Sequence, residues 1–215
     1  LFNRQDQYDY IGKLDLKPEN SYQCELLFRQ IMKKAEYSLN LFYHHTQNYI
    51  YAYVIPGFGP MTIGAMGLKT YTNIDFATSR GAELTAKYYL SESLTYMASV
   101  KYVYGQTCFN TPLPLVPPLK VQQAIRYTKK LMQPQLEYDY AASQNRINPD
   151  YGDRSTPGYH LLNFRVSRNI KVKPGIIQLG AACENILNAS YREHLDIGAV
   201  PRFGRNFSFN LSFLF

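Results

Sequence analysis

Methionine, histidine and cysteine side chains are the residues of this 215-residue chain that could bind a metal ion. Met61, Met66 and His194 lie in stretches predicted to be loops, and thioether sulfur and imidazole nitrogen suit soft metals such as copper. Cys108 lies in another loop, and the sequence assigns it no partner. The alternative is that loop methionines serve as adaptable packing, which is their commoner role. We therefore expect no metal site, and Met61, Met66 and His194 are the candidates if one exists.

The remaining histidines do not add a ligand set. His44 and His45 are neighbours on a predicted strand, so their side chains point to opposite faces and one ion cannot easily bind both. His160 stands at a strand start with no ligand spacing around it.

Enzyme motifs are not found in the sequence. Residues 64–70 superficially resemble a phosphate-binding loop, but Leu68 separates Gly67 from Lys69 and a strand follows where that loop requires a helix. The chain contains no GxSxG or HExxH pattern. We expect neither catalysis nor a cofactor.

The charge balance limits the partners. The net charge is +7, but the charges are scattered, and adjacent like pairs occur only at Lys33–Lys34 and Lys129–Lys130, both in predicted turns. This distribution favours solvent or lipid headgroups over nucleic acid. The mean hydropathy of −0.32 and the absence of an apolar run of about eighteen residues exclude a membrane-spanning helix. They do not exclude a membrane barrel, whose alternating strands average to a polar hydropathy.

The last thirteen residues, 203–215, alternate with a period of two. Phe207, Phe209, Leu211, Phe213 and Phe215 share one side, and small polar residues occupy most of the other. A soluble edge strand this apolar would invite aggregation, whereas the wall of an outer-membrane barrel needs one apolar and one polar face. The pattern predicts a closing barrel strand.

The same alternation predicts nine strands and no helix. The strands are placed at 20–30, 36–50, 69–90, 93–105, 119–128, 131–145, 158–170, 175–184 and 203–215. Short and long connections between them alternate, as the periplasmic turns and extracellular loops of membrane barrels do. With Phe215 in the periplasm, residues 51–68, 106–118, 146–157 and 185–202 are extracellular, and residues 1–19 are the remnant of another extracellular loop.

Nine is an odd number, and an unclosed sheet would leave unpaired backbone in lipid. We therefore expect residues 1–215 to be the carboxy-terminal portion of an all-β, antiparallel transmembrane barrel, with the barrel strands in 20–215. The chain begins at Leu1 without an initiator methionine, so a processed or truncated product is expected.

Several motifs carry a resemblance to a known family. They are Asp15–Ser21 followed by Glu25, Asn73 to Glu83 with Gly81, Pro112–Pro118, Thr156–Tyr159 with Asn163 and Arg165, Glu184–Asn188, Tyr191–His194 and Gly204–Phe207. In this order they resemble the carboxy-terminal half of TonB-dependent outer-membrane receptors, which have twenty-two strands. Lys13–Leu14 departs from the family's Asn-Pro at the start of the first motif.

The resemblance implies a receptor that imports a scarce nutrient, such as a siderophore, haem, cobalamin or a metal chelate. Its motif residues are structural: Pro18, Glu19, Glu25, Gly81, Glu83, Pro117, Asn185, Arg205 and Asn206. Leu211, Phe213 and Phe215 are expected to form the signal read by the barrel-assembly machinery. The implied partners are the amino-terminal half-barrel and plug of the same receptor, the TonB complex acting through that plug, outer-membrane lipid and a small-molecule substrate.

The lumen-facing wall is expected to pair with plug charges rather than to bind substrate. Its candidates are Glu25, Glu83, Lys87, Lys101, Glu137, Asp139 and Arg165. Two other functions remain open at this point: a barrel with a structural or adhesive role and no transport, and a soluble β-sandwich binding module.

Overall fold

The computed structural model describes residues 2–3, 7–196 and 200–215. Its strands are β1 (Phe2–Asn3), β2 (Tyr8–Ile11), β3 (Asn20–Met32), β4 (Ala35–Val54), β5 (Leu68–Tyr89), β6 (Leu94–Thr107), β7 (Lys120–Tyr127), β8 (Met132–Ala141), β9 (Tyr159–Val172), β10 (Gly175–Glu184) and β11 (Asn206–Leu214). One 3₁₀ turn spans Pro149–Tyr151. Within the described ranges, no helix is long and apolar enough to cross a membrane.

The nine predicted strands are confirmed as β3 to β11, and each pairs antiparallel with the next along the chain. Three boundaries lie three or more residues from the prediction. β4 continues to Val54, not residue 50, because its last residues keep pairing with the start of β5, as far as Val54 opposite Lys69. β8 ends at Ala141 because Gln144 pairs instead with Thr156 inside the following loop. β11 begins at Asn206, not residue 203, because the Arg205 amide donates a hydrogen bond to Asn188 Oδ1 in the preceding loop.

The strand register gives the sheet one apolar and one polar face. A row across the apolar face reads Phe28, Leu39, Leu84, Val100, Val121 and Tyr140. The next row, on the opposite face, contains Asn40, Glu83, Lys101 and Lys120. Successive side chains alternate between faces, so the two faces continue across the sheet, although apolar residues such as Leu27, opposite Asn40, and Met97, opposite Lys87, also lie on the polar one. We call the apolar side the outer face and the polar side the inner face.

The two ends of the sheet are edges. Within the described residues, β3 pairs with β4 alone and β11 with β10 alone, and every residue of both strands is exposed. Unpaired backbone groups cost several kcal/mol each in a hydrocarbon environment, of order 2–7 kcal/mol. The sheet is therefore an up-and-down portion of a barrel that needs further strands beside β3 and β11.

Connection lengths separate the two ends of the strands, as predicted. Residues 33–34, 90–93, 128–131 and 173–174 form short turns at one end, and 55–67, 108–119, 142–158 and 185–205 form long loops at the other. The alternation did not predict β1 and β2, which lie within residues 1–19. β2 pairs in parallel with Leu68–Thr70, the part of β5 that extends beyond its pairing with β6. β2 thus covers backbone that β6 leaves open.

Candidate functional site

The inner face carries ion pairs between neighbouring strands. Lys101 Nζ lies 3.5 Å from Glu83 Oε1, and Lys87 Nζ lies 3.8 Å from Glu36 Oε1. Arg165 bridges two strands, with nitrogens 3.2 Å from Glu137 Oε2 and 3.3 Å from Glu184 Oε1. These side chains are between 20% and 54% exposed, so solvent screens each pair, which contributes about 0–1 kcal/mol to stability. They place charges of both signs side by side on this face.

The predicted wall residues therefore share one face. Asp139 accepts hydrogen bonds from Gln122 at 2.9 Å and Asn163 at 2.8 Å, and the register places Glu25 on the same face, opposite Phe42. A shallow hollow of about 660 Å³ lies over this face and is lined by side chains from β3 to β8. Its lining mixes charged side chains, such as Arg29 and Glu36, with apolar ones, such as Leu27 and Met97.

Gly81 is required by close packing on the inner face. A Cβ atom there would lie 2.8 Å from Phe42 Cε1, and still closer to Phe42 Cζ and to the backbone oxygen of Tyr102. Phe42 and Gly81 are direct partners across β4 and β5, so the ring lies where the glycine leaves room. This family-motif glycine thus serves close packing between strands.

Other motif residues hold the bases of loops. Glu19 Oε1 accepts a hydrogen bond from the Ile50 amide at 2.6 Å, and Arg205 Nε donates to the Ile186 carbonyl at 2.8 Å. Asn185 is buried, and its amide group exchanges two 2.8 Å hydrogen bonds with the Ala189 backbone. Asn206 starts β11 opposite Glu184. These contacts position the strands that follow each loop.

The long loops meet in a polar cluster around Asn148. Asn148 is 1% exposed; its Oδ1 accepts from the Tyr51 hydroxyl at 2.8 Å, and its Nδ2 donates to the Pro112 carbonyl at 2.7 Å. The Tyr151 amide also donates to Oδ1, at 3.2 Å. Asn148 thus joins the end of β4 to loops 108–119 and 142–158. The sequence offered no signal for this role, since its partners are distant along the chain.

Lys69, at the start of β5, is enclosed by aromatic rings. Its ammonium lies 4.1 Å from the centre of the Tyr8 ring and 4.3 Å from that of Tyr151, and the residue is 1% exposed. Tyr10 lies farther away, at 5.6 Å. Cation–π attraction is strongest for such desolvated cations. The contact joins β2 to the 142–158 loop across β5.

A cavity of about 290 Å³ opens beside Lys69 on the inner side of the loop cluster. Tyrosines and ionisable residues line it, among them Tyr71, Asp153, Arg154, Arg192, Glu193 and His194. Lys120 and Tyr159 both hydrogen-bond Glu193, Tyr159 at 2.7 Å. Burial alone would raise the pKa of Glu193, but these two hydrogen bonds together with the positive charges of Lys120 and Arg202 outweigh it, and the pKa is lowered. Glu193 is therefore an anion at neutral pH.

The three metal candidates are only partly brought together. Met66 and His194 line the cavity, whereas the Met61 side chain is 76% exposed in loop 55–67. Arg154 donates a hydrogen bond to Met66 Sδ at 3.2 Å. Among the described residues, no group of three or more His, Cys, Asp or Glu side chains is arranged to hold a metal ion. The expectation of no metal site, with Met61, Met66 and His194 as the candidates if one exists, stays a prediction.

His194 is buried beside Asp153. Its Nδ1 lies 3.0 Å from Thr156 Oγ1, and its Nε2 lies 3.6 Å from Asp153 Oδ1, too far for a hydrogen bond. Burial lowers the pKa of His194, and the opposing attraction of Asp153 does not restore it. The imidazole is therefore neutral at pH 7. His44 and His45 lie on opposite faces, packed near Phe42 and Phe76 respectively, as their adjacency required.

Asp9 on β2 anchors loop 55–67. It is 2% exposed, and its carboxylate accepts three hydrogen bonds of 2.7 Å from the Met61 amide, the Thr62 amide and the Thr62 hydroxyl. The Thr62 hydroxyl, followed by the two amides, lowers the pKa of Asp9 below its ordinary value of 3.8. Because the folded pKa is the lower one, the stabilisation is present above about pH 4 and is lost as the pH falls through the folded value.

We expect Asp9→Asn to release loop 55–67, because an amide group presents donors where the loop also presents donors. In the intact receptor, hydrogen exchange at the Met61 and Thr62 amides should then accelerate at pH 7 by at least about tenfold. Thr62→Val, which removes only the hydroxyl bond, should have a smaller effect. Equal protection in Asp9→Asn and the unmodified protein would contradict the anchoring role.

Comparison with known proteins agrees with this architecture. The family model of the TonB dependent receptor-like β-barrel matches residues 1–186. Among solved structures, the copper transporter OprC is similar with a TM-score of 0.83 and 22% identity over 95% of this chain and 34% of that one. The ferric enterobactin receptor PfeA of Pseudomonas aeruginosa has a TM-score of 0.69 and 17% identity, over 91% of this chain and 31% of that one. The FrpB iron transporter of Neisseria meningitidis has a TM-score of 0.69 and 12% identity, over 96% of this chain and 33% of that one.

These identities establish a shared fold only. The chain spans about a third of the length of each of these structures. A comparison with curated proteins finds no match. The family match covers most of the chain and ends just after β10. The assignment of β11 to the same sheet therefore comes from its pairing with β10 in the structure. The chain belongs to the TonB dependent receptor-like β-barrel family.

Proposed function

We propose that this chain is the carboxy-terminal wall of an outer-membrane receptor that imports a scarce nutrient: a siderophore, haem, cobalamin or a metal chelate. The observation that carries the proposal is the division of β3 to β11 into a polar inner face and an apolar outer face, in a chain that belongs to this barrel family. The family is one of the Gram-negative outer membrane. A wall of this kind separates lipid from a wet lumen.

In the proposed orientation, loops 55–67, 108–119, 142–158 and 185–205 face the outside of the cell and the short turns face the periplasm. This follows from the preference of outer-membrane barrels for short periplasmic turns. The loop cluster around Asn148 and the adjacent cavity then lie at the mouth of the lumen, where an incoming substrate arrives. The chemistry required here is reversible binding, and no bond in the substrate is broken.

The remaining parts of the transport cycle lie outside this chain. An amino-terminal half-barrel would pair with the β3 and β11 edges, and a plug would contact the inner face through the charged side chains of the wall. The TonB complex would act on that plug to open the lumen. The exposed outer-face residues Leu211 and Phe213, followed by Phe215, would serve as the signal for the barrel-assembly machinery.

The test is substrate accumulation by cells that produce the intact receptor. We expect accumulation of a ferric siderophore, haem, cobalamin or copper chelate above that of cells without the receptor, and we expect deletion of TonB to abolish the excess. The neighbours named for copper and ferric enterobactin make those two the first substrates to measure. A receptor that inserts normally but accumulates none of these would favour a structural or adhesive barrel.

A further inference from the structure

The outer face carries an unpaired cation near the short turns. Along the outer face of the described strands β3 to β11, the only Lys or Arg residues are Arg80 and Arg168, and no Asp or Glu is present. Arg80 lies against the Tyr104 ring, with its guanidinium carbon 5.1 Å from the ring centre. Arg168 is exposed and forms no ion pair or ring contact within the described part of the chain. A cation on a lipid-facing surface needs a partner.

The pairing of β8 with β9 shows how far Arg168 lies from the short turns. Met132, the first residue of β8, pairs directly with Arg168 on β9, and the Asn169 amide donates to the Leu131 carbonyl at 3.0 Å. β9 then continues to Val172. Arg168 is therefore level with the 128–131 turn, and one more apolar row, Ile170 with Ile177 and Phe213, lies beyond it toward the short turns. A charged side chain on the lipid face costs less toward the ends of the strands than at the middle of the membrane.

Two more cations lie in that turn. Lys129 and Lys130 are exposed, and neither forms an ion pair with any residue that the structure describes. Together with Arg168 they place three positive charges at this end of the sheet, against one carboxylate, Glu92, in the neighbouring turn, where the Ser93 carbonyl accepts a hydrogen bond from the Thr128 amide at 2.7 Å. Clusters of this kind attract the phosphate groups of anionic lipids.

An apolar groove begins beside this cluster. It has a volume of about 500 Å³ and crosses β9, β10 and β11 on the outer face. Ala181 forms its floor because its small side chain stands in a row between Val166 and Phe209. The next row toward the turn contains Arg168, Leu179 and Leu211. A groove of this shape fits an acyl chain whose headgroup lies at Arg168.

We propose that Arg168, Lys129 and Lys130 bind the phosphate of an anionic phospholipid, phosphatidylglycerol or cardiolipin, whose acyl chain lies in the groove over Ala181. The choice of a phospholipid over lipopolysaccharide rests on the orientation given under the proposed function, which places the 128–131 turn in the periplasmic leaflet. The charge of the cluster selects an anionic headgroup over a zwitterionic one. The site does not require transport, so a receptor that imports nothing would still bind the lipid.

The test is native mass spectrometry of the intact receptor in detergent, titrated with phosphatidylglycerol, cardiolipin, phosphatidylethanolamine and lipid A. We expect the two anionic phospholipids to bind more tightly than phosphatidylethanolamine and lipid A. Arg168→Gln should weaken their binding about fivefold, and the triple variant with Lys129→Gln and Lys130→Gln by well over tenfold.

Lys33→Gln with Lys34→Gln is the matched control, because that exposed lysine pair joins β3 and β4 with no arginine on the neighbouring outer face. It should leave the lipid affinity unchanged. The double variant Lys129→Gln with Lys130→Gln changes only the turn. If Arg168→Gln fails to assemble into a barrel, this double variant tests the proposal, and its affinity for the anionic phospholipids should be lower than that of the unmodified receptor. Equal binding of phosphatidylglycerol and phosphatidylethanolamine, an unchanged affinity in the turn variant, or preference for lipid A would each overturn the proposal.

Discussion

Replacing Gly81 with alanine is expected to destabilise the assembled barrel by roughly 3 kcal/mol, the upper end of the cost of overpacking a well-packed site. The new methyl group would meet the Phe42 ring and the backbone oxygen of Tyr102 at distances shorter than van der Waals contact. The ring could turn aside. The Tyr102 oxygen cannot, because it belongs to β6, which is hydrogen-bonded to β5 along its length. The strain therefore falls on the strand pairing.

Gly180→Ala is the matched control for this prediction. Gly180 also faces inward from a strand, but its nearest neighbours are the terminal amide atoms of the exposed Asn210 side chain, which can move. We expect Gly180→Ala to cost less than about 1 kcal/mol. The measurement is urea unfolding of the purified receptor in lipid vesicles. Phe42→Ala added to Gly81→Ala should restore part of the loss, and equal midpoints for the two glycine variants would remove the packing explanation.

The nine long strands were predictable because the two faces of the sheet meet different environments. One row of the sheet contains the apolar residues Phe28, Leu39 and Leu84. The next row contains the polar residues Asn40, Glu83 and Lys101. The period of two is therefore visible in the sequence of each strand separately. Strand ends were less predictable, because they depend on partners elsewhere. Phe203 continues the alternation of β11, yet its carbonyl accepts a hydrogen bond from Asn185 at 3.3 Å and the strand starts three residues later.

The contacts of the candidate site could be predicted from the sequence less well than the strands. β2 exists because β5 extends past its pairing with β6, and nothing in the four residues of β2 indicates a parallel partner. Lys69 looked like part of a failed phosphate-binding loop, whereas the structure encloses it between Tyr8 and Tyr151. Met66 and His194 meet at one cavity although 128 positions separate them in the numbering (194 − 66). These contacts arise from loops that converge only after the wall has formed.

Asn148→Ala is expected to separate the long loops while leaving the wall intact. The substitution removes the acceptor for Tyr51 and Tyr151 and the donor for Pro112, all within a part-buried cluster. Each polar group left without a partner costs about 1–3 kcal/mol, so the cluster should lose roughly 3–5 kcal/mol in total. The strand hydrogen bonds of β4 and β8 do not involve the Asn148 side chain, and the unfolding of the barrel should change little.

Hydrogen exchange of the intact receptor separates these two effects. Amides in 108–119 and 142–158 should exchange at least about 100-fold faster in Asn148→Ala, since exchange follows the free energy of local opening. Asn148→Asp keeps the acceptor for Tyr51 but loses the donor to Pro112. Its exchange rates in these loops should lie between those of the unmodified protein and those of Asn148→Ala. Asn145→Ala is the control in the same loop, because its exposed amide reaches only Ser143 Oγ at 3.4 Å. If the amides of these loops exchange at the same rate in Asn148→Ala as in Asn145→Ala, the loops are held together without Asn148.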